Sequence, residues 1–198
     1  LSYEHFRQAV LDRQIARARA KGKSFFPPLA DDELEFVEEN FRMRSAPAQD
    51  CRALLAAARS ALGQARVHDE RARQTRSIGI CSAYRDYNYD AGLWRGTFDK
   101  HYHKMLAAGR FAGREHGPHA LQYMLQTMLP LKAAPGFSNH SDGRAVDFKT
   151  VHAGEKYGAN SSQREGWRAT WLHPWLVQNA REFGFAPLAS EEWHWDHS

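Results

Sequence analysis

The chain has 198 residues, of which 42% are hydrophobic and 12% aromatic, and its formal net charge at pH 7 is +4. This length suits one domain, the apolar content is enough for a core and excludes global disorder, and no apolar run approaches the roughly 20 residues of a membrane span. The basic residues are scattered and match no nucleic-acid-binding motif, so we expect no nucleic-acid partner.

The first third of the chain is predicted to be helical and carries no obvious chemistry. Three helices are predicted: residues 2–20, a short helix that begins at Asp31 or Asp32, and the alanine-rich residues 48–65. The short helix is inferred from Leu34, Val37 and Phe41, whose spacing places them on one helix face. We expect residues 1–75 to form a helical segment that packs on the remainder of the chain.

From residue 76 onward, predicted strands are interrupted by helices without a regular alternation. The predicted strands are residues 77–82, 145–149, 185–188 and 192–195, and the predicted helices are residues 90–108, 118–130 and 167–183. The polar, glycine-containing residues 154–166 are predicted to be a loop. This order favours an α+β fold in which a small antiparallel sheet, flanked by helices, carries the functional site.

Candidate metal ligands occur in two separate segments. His140 and Asp147 lie on either side of a glycine-containing turn, and His194 stands between two tryptophans. Two neutral imidazoles and one carboxylate suit Zn²⁺ and leave one coordination position open for water, as a hydrolytic zinc requires. His197 is close to His194 in sequence, but we expect it to be an ordinary surface or core residue.

One of two adjacent glutamates is predicted to be the general base that takes a proton from the attacking water. Strand alternation places Glu192 on the same face as His194 and Glu191 on the opposite face, so geometry alone favours Glu192. Glu191 requires a twist or a bulge in the strand to face the metal.

Taken together, these residues resemble the zinc D-alanyl-D-alanine peptidases, which are carboxypeptidases and dipeptidases acting on peptidoglycan peptides. The resemblance covers residues 76–198 and rests on this pattern: Ser138-x-His140-x-x-Gly143-x-Ala145-x-Asp147, then Glu191-x-x-His194. It implies a fold related to lysostaphin-type peptidases and hedgehog domains, with residues 76–198 as the catalytic domain. It also implies zinc ligation by His140, Asp147 and His194, and it names Glu191 as the base in place of Glu192.

A second likeness concerns Ser82-Ala83-Tyr84-Arg85, which is similar to the family's Ser-Gly-Tyr-Arg segment, with Ala83 in place of the glycine. By that likeness, Arg85 points into the cleft and stabilises the oxyanion that forms as water attacks the scissile carbonyl, a role that suits a guanidinium. Ser138 is expected to bind substrate or to brace the ligand loop.

The resemblance implies a bacterial zinc hydrolase that cleaves peptidoglycan stem peptides, with D,D-carboxypeptidase-like activity. Two alternatives stay open: a cell-wall endopeptidase of the same fold, as in endolysins, and a zinc-stabilised binding module without turnover. Such a substrate places the protein in the periplasm or outside the cell, and we expect the chain to be a mature or trimmed form. Cys51 and Cys81 are either one disulfide or two buried thiols, and the sequence indicates no oligomeric state.

Overall fold

The computed structural model describes residues 1–111 and 113–198, which divide into two compact units. The helical unit comprises Leu1–Pro28 and Asp86–Ser141, and the sheet unit comprises Leu29–Arg85 and Asp142–Ser198. Each unit takes one segment from the first third of the chain. The division into a helical segment of residues 1–75 and a catalytic domain of residues 76–198 stays a prediction. Helices combined with antiparallel strands confirm the predicted α+β fold.

The described residues contain seven α-helices. They are α1 (Tyr3–Ala20), α2 (Ser45–Ala65), α3 (Glu70–Gln74), α4 (Tyr87–Ala107), α5 (Pro118–Met128), α6 (Arg164–Ala169) and α7 (Leu172–Asn179). Short 3₁₀ helices lie at Asp31–Glu33, Ser161–Gln163 and Ala180–Phe183. None of these described helices combines the length and the apolar character that crossing a bilayer requires.

The described strands form two antiparallel sheets, both in the sheet unit. They are β1 (Leu34–Glu38), β2 (Phe41–Arg44), β3 (Thr75–Ser82), β4 (Ala145–His152), β5 (Glu155–Tyr157), β6 (Phe185–Leu188) and β7 (Glu191–His197). β1 and β2 make a hairpin, and the larger sheet has the order β3-β4-β7-β6, with β5 paired to β4. The antiparallel pairing confirms the predicted sheet type.

The helical unit has its own core, in which α1, α4 and α5 meet. Phe6 and Val10 of α1 are fully buried against Trp94 and Phe98 of α4. The Trp94 indole N–H is satisfied by the side-chain oxygen of Gln14, at 2.9 Å. Burial of aromatic side chains of this size is the main stabilisation of such a small helical unit.

The sheet unit is built around a second core, in which α2, α7 and the larger sheet meet. Its fully buried members include Leu54 of α2, Leu176 of α7 and Phe148 of β4. Cys51 lies in this core, and burial raises the pKa of its thiol to about 12, so it is an inert packing residue. Cys51 and Cys81 are both free thiols.

The prediction of a short helix after Asp31 is wrong, because the structure has the β1–β2 hairpin there. Leu34 and Val37 are both buried, and a register shift lies between Phe36 and Glu38. A β-bulge adds one residue to a strand, so two buried positions can stand three apart. That spacing imitates one face of a helix and explains the error.

The predicted continuous helix over 167–183 is interrupted, and the predicted loop over 154–166 contains β5. Thr170 has extended backbone angles, φ −65° and ψ 161°, and its side chain accepts a hydrogen bond from the amide of His173. A threonine in this position caps the next helix, which is why α6 ends and α7 begins there. Gly184, with φ 77°, ends the following 3₁₀ helix in the left-handed conformation, as predicted for this position.

Candidate metal centre

Three neighbouring strands of the larger sheet carry the sequence-predicted residues to adjacent positions. Ser82 at the end of β3 is paired with Asp147 of β4, and Asp147 is paired with His194 of β7. Residues directly opposite each other in antiparallel strands have side chains about 5 Å apart. The sheet register therefore brings the carboxylate of Asp147 to the ring of His194, across 47 residues of sequence.

The turn before β4 requires a glycine. Gly143 has φ +70°, and a Cβ atom at this position would lie 3.0 Å from a methyl carbon of Leu29 and 3.1 Å from Cγ of Arg44. The same arginine holds the turn, because its Nε donates to the carbonyl oxygen of Asp142 at 2.8 Å. Both the backbone conformation and the lack of space thus explain Gly143 of the sequence pattern.

His140, Asp147 and His194 form a compact group of ligand atoms. Each residue offers one such atom, and the three atoms lie within 4.8 Å of one another. All three residues are buried, with exposed fractions of 2%, 4% and 7%. Two imidazole nitrogens and a carboxylate oxygen are the donors that a catalytic Zn²⁺ takes in proteins, so the chemistry of the donor set fits this metal.

Asp196, which the sequence reasoning missed, supports His194 from the other side of its ring. His194 Nδ1 lies 3.0 Å from Oδ1 of Asp147, and Nε2 lies 2.9 Å from Oδ1 of Asp196. Burial lowers the pKa of His194, but the hydrogen bonds to the two carboxylates outweigh it and raise the pKa to about 9. A carboxylate that accepts from the far nitrogen of a ligand histidine fixes the orientation of the ring. The signal in the sequence is the i, i+2 spacing of His194 and Asp196 on one strand.

Arg85 lies beside the carboxylate of Asp147. Its Nη1 is 3.6 Å from Oδ2 of Asp147 and donates to Oγ of Ser82 at 2.8 Å. The side chain is only 14% exposed. A guanidinium held next to this carboxylate is suited to offset negative charge that develops beside it.

The two glutamates at the start of β7 have different surroundings. Glu192 is buried and accepts hydrogen bonds from Nε of Arg164 at 2.8 Å and from Nη2 of Arg168 at 2.6 Å. The hydrogen bond to Arg164 is the largest influence on Glu192 and, with Arg168, lowers its pKa to about 2 despite the opposing effect of burial. A carboxylate held in this way is a poor proton acceptor. Both arginines belong to α6, so the Glu192 side chain attaches this helix to β7.

The strand irregularity that Glu191 requires is present in β7. On the side of β6, Pro187 is paired with Trp195 and Leu188 with Glu191, so the register shifts between these pairs. The three residues of β7 between Glu191 and Trp195 therefore have no partner in β6. Because of this irregularity, the simple alternation of side chains that favoured Glu192 does not apply. Glu191 is partly exposed at the first position of β7, three residues before His194.

We expect replacement of Glu192 with glutamine to lower the free energy of unfolding by about 2 kcal/mol at pH 7, because charge-assisted hydrogen bonds to two arginines are weakened. The pKa of Glu192 is depressed from 4.5 to about 2 in the folded chain. Its stabilisation is therefore complete above pH 4.5 and is lost as the pH falls towards 2. Urea unfolding of both proteins, from pH 7 down to pH 3, measures this difference.

The matched control is Glu70→Gln, which removes the exposed pair of Glu70 with Arg73 on α3. Exposed pairs of this kind contribute little to stability, so only a small pH-dependent change is expected there. A Glu192→Gln protein as stable as the wild type at pH 7, or equally destabilised at pH 3 and pH 7, would contradict this account.

Ser138 lies in the turn that carries His140. The amide of Ser141 donates to the carbonyl oxygen of Ser138 at 3.0 Å, and the two serine hydroxyl oxygens are 3.4 Å apart. These contacts fit the expected bracing of the ligand loop, and its expected contact with substrate stays a prediction.

Among the described residues, His197 is not part of the group formed by His140, Asp147 and His194. Its Nε2 lies 2.8 Å from a carboxylate oxygen of Asp50. The ring also packs edge-on against Phe185, with 5.0 Å between the ring centres. His197 is thus a packing residue of the sheet unit.

Comparison with known proteins identifies a family for this chain. Residues 43–198 match a family model described as D-alanyl-D-alanine carboxypeptidase, VanY. No curated protein sequence matches the chain.

Solved structures share the fold. VanYB in complex with D-alanine-D-alanine is 21% identical, with a TM-score of 0.54 over 88% of this chain and 81% of that one. A mutant of the vancomycin-resistance D,D-pentapeptidase VanY from the VanB-type cassette, in complex with Zn(II), is also 21% identical, with a TM-score of 0.52 over 86% of this chain and 82% of that one. At this level of identity the likeness is one of fold.

Proposed function

Because the chain belongs to the D-alanyl-D-alanine carboxypeptidase family, we propose that it is a zinc-dependent hydrolase that removes the C-terminal D-alanine of peptidoglycan stem peptides. Family membership confirms the predicted resemblance and the predicted peptidase class. The observation that carries the proposal is the buried group of His140, Asp147 and His194, whose ligand atoms lie within 4.8 Å of one another.

In this proposal, these three residues hold Zn²⁺. When bound, Zn²⁺ would act as a Lewis acid that polarises the scissile carbonyl, and it would lower the pKa of the water bound to it. Asp196 keeps the ring of His194 in place through Nε2, 2.9 Å from its carboxylate, so that Nδ1 faces the ligand side. Asp147 serves both as a ligand and as the partner that keeps Arg85 near the site.

We assign proton transfer to Glu191. It takes a proton from the attacking water and later delivers it to the leaving amine. Glu192 is less suited to this role, because Arg164 and Arg168 bind its carboxylate and lower its pKa to about 2, which makes it a weak base. The choice of Glu191 as the base agrees with the Glu-x-x-His pattern of the family, which Glu191 and His194 match.

Arg85 is assigned to the carbonyl oxygen of the substrate. Negative charge develops on that oxygen when water attacks, and a guanidinium that is already fixed and largely desolvated stabilises this charge without reorganising. The hydrogen bond to Ser82 and the proximity of Asp147 hold the Arg85 side chain for this purpose.

The neighbour structures support the substrate class by what they contain: VanYB holds D-alanine-D-alanine, and the VanY mutant holds Zn(II). We propose the same metal and the same kind of peptide end for this chain. With a peptidoglycan substrate, we expect the activity on the cell-wall side, in the periplasm or outside the cell.

The test is mass spectrometry of defined stem peptides after digestion by the purified protein. We expect a pentapeptide that ends in D-alanyl-D-alanine to lose one alanine, no reaction after treatment with a chelator, and recovery when zinc is added. Cleavage of a cross-linked dimer at an internal bond, with the free pentapeptide intact, would identify an endopeptidase. Zinc-loaded protein that cleaves neither substrate would indicate a binding module.

A further inference from the structure

Asp90 is a buried carboxylate outside the sequence patterns that point to the metal centre. It lies in the first turn of α4, where its amide donates to the carbonyl oxygen of Asp86 at 3.0 Å, and it is only 8% exposed. An acid in the first turn of a helix is favoured by the helix dipole. Burial of a carboxylate is unfavourable unless hydrogen bonds compensate, so its contacts indicate what it does.

One of these contacts is with the residue next to a metal ligand. Oγ of Ser141 donates to Oδ2 of Asp90 at 2.7 Å, and Ser141 is only 3% exposed. An O–H to carboxylate bond of this length, away from water, is of the strong, charge-assisted kind. Ser141 directly follows His140 in the chain, so the bond acts on the peptide unit that carries the ligand.

The carboxylate also sets the direction of the neighbouring hydrogen bonds. Oδ2 of Asp90 accepts from Oγ of Ser141, so the hydroxyl proton of Ser141 points to Asp90. In the 3.4 Å contact between the two serine hydroxyls, Ser138 must then be the donor. The resulting chain runs from Ser138 through Ser141 to Asp90 and holds both ends of the turn in which His140 stands.

We propose that Asp90 is a positioning residue for the metal centre, which fixes the turn of His140 through its hydrogen bond with Ser141. The inference rests on the proposed zinc site and adds a residue of α4 to it. Asp90 acts here through Ser141, and the imidazole of His140 is the group whose direction it sets. Supporting residues of this kind change metal affinity by about 10- to 100-fold when they are removed.

The experiment is a double-mutant cycle on zinc affinity. The dissociation constant is measured by competition with a chromophoric chelator for Asp90→Ala, Ser141→Ala and the double variant. We expect each single variant to bind zinc about 10- to 100-fold more weakly. Both substitutions remove the same hydrogen bond. The double variant should therefore bind zinc about as weakly as the single variant with the lower zinc affinity.

Two further variants separate positioning from a general loss of stability. Asn retains a side-chain carbonyl that accepts from Ser141, so Asp90→Asn should keep zinc affinity within a few-fold of the wild type. Asp99→Ala is the matched control on α4, since Asp99 accepts from Tyr3 at 2.6 Å and belongs to the packing of α1 on α4. It should leave zinc affinity unchanged even where it lowers the melting temperature.

The visible spectrum of the Co²⁺-substituted protein gives a second measurement, because it responds to ligand geometry and not to fold stability. We expect the ligand-field bands to shift in Ser141→Ala and to match the wild type in Asp99→Ala. Zinc affinity of Asp90→Ala equal to that of Asp99→Ala, or fully additive losses in the cycle, would overturn the positioning role. A wild-type protein that binds no zinc would overturn the proposed function itself. The experiment thus distinguishes failure of the proposed function from failure of the positioning role.

Discussion

Replacement of Glu191 with glutamine should lower the rate of peptide hydrolysis by about 10³-fold or more and leave the zinc content of the protein unchanged. Glutamine has the same shape as glutamate but cannot take a proton from water, and general-base catalysis contributes about 10²- to 10⁴-fold. Glu191 is not one of the three grouped ligand residues, so metal binding should survive. The measurements are kcat on a stem pentapeptide and the zinc-to-protein ratio by elemental analysis.

Glu192→Gln is the control for this prediction, because it makes the same chemical change one residue further along β7. Its carboxylate binds Arg164 and Arg168 of α6, so its loss should lower stability and leave kcat within about tenfold of the wild type at a temperature where both proteins are folded. The opposite result, with Glu192→Gln inactive and Glu191→Gln active, would return the role of base to the residue that strand alternation favours.

Replacement of His140 with alanine should remove the metal itself. A site with two remaining protein ligands is expected to bind zinc more than about 100-fold more weakly, beyond the range seen for the loss of a supporting residue. Hydrolysis should disappear together with the metal and should not return at moderate zinc concentrations. Zinc content after dialysis, measured together with far-ultraviolet circular dichroism to verify the fold, checks this result.

His197→Ala is the matched control for the ligand, since it removes another histidine of the same region. His197 contacts Asp50 and packs on Phe185, so its loss should leave one zinc per chain. Retention of stoichiometric zinc by His140→Ala, or loss of zinc from His197→Ala, would refute the proposed ligand set.

The sequence was sufficient to predict the grouped residues because their chemistry is tied to a fixed spacing. His140, Gly143 and Asp147 lie within one turn and the start of one strand, so local geometry already limits where they can point. The helices α1, α2, α4 and α5 were also predictable, because α2 is rich in alanine and the buried residues of the other three are spaced three or four apart.

What the sequence did not reveal depends on contacts between distant segments. Asp90 is joined to Ser141 across 51 residues, and nothing near Asp90 in sequence marks it as part of a site. The commitment of Glu192 to Arg164 and Arg168 spans 24 residues or more and becomes visible only when α6 packs beside β7. Local periodicity alone therefore favoured the glutamate that is bound to two arginines.

Irregular strands account for the remaining differences. The register shifts in β1 and β7 each break the two-residue period, and no single residue type specifies a bulge in advance. In β1 the shift gave the buried residues a helix-like spacing. In β7 it disrupted the side-chain alternation on which the preference for Glu192 over Glu191 rested.

The order of the strands has a consequence for the newly made chain. β7 is the final strand in chain order, yet it sits inside the sheet between β4 and β6. During synthesis, β3 and β4 emerge long before His194 does, and the sheet cannot close until β7 inserts beside β4. A nascent or partly folded polypeptide therefore lacks one of the grouped histidines, and the three-residue group is complete only once β7 is in place.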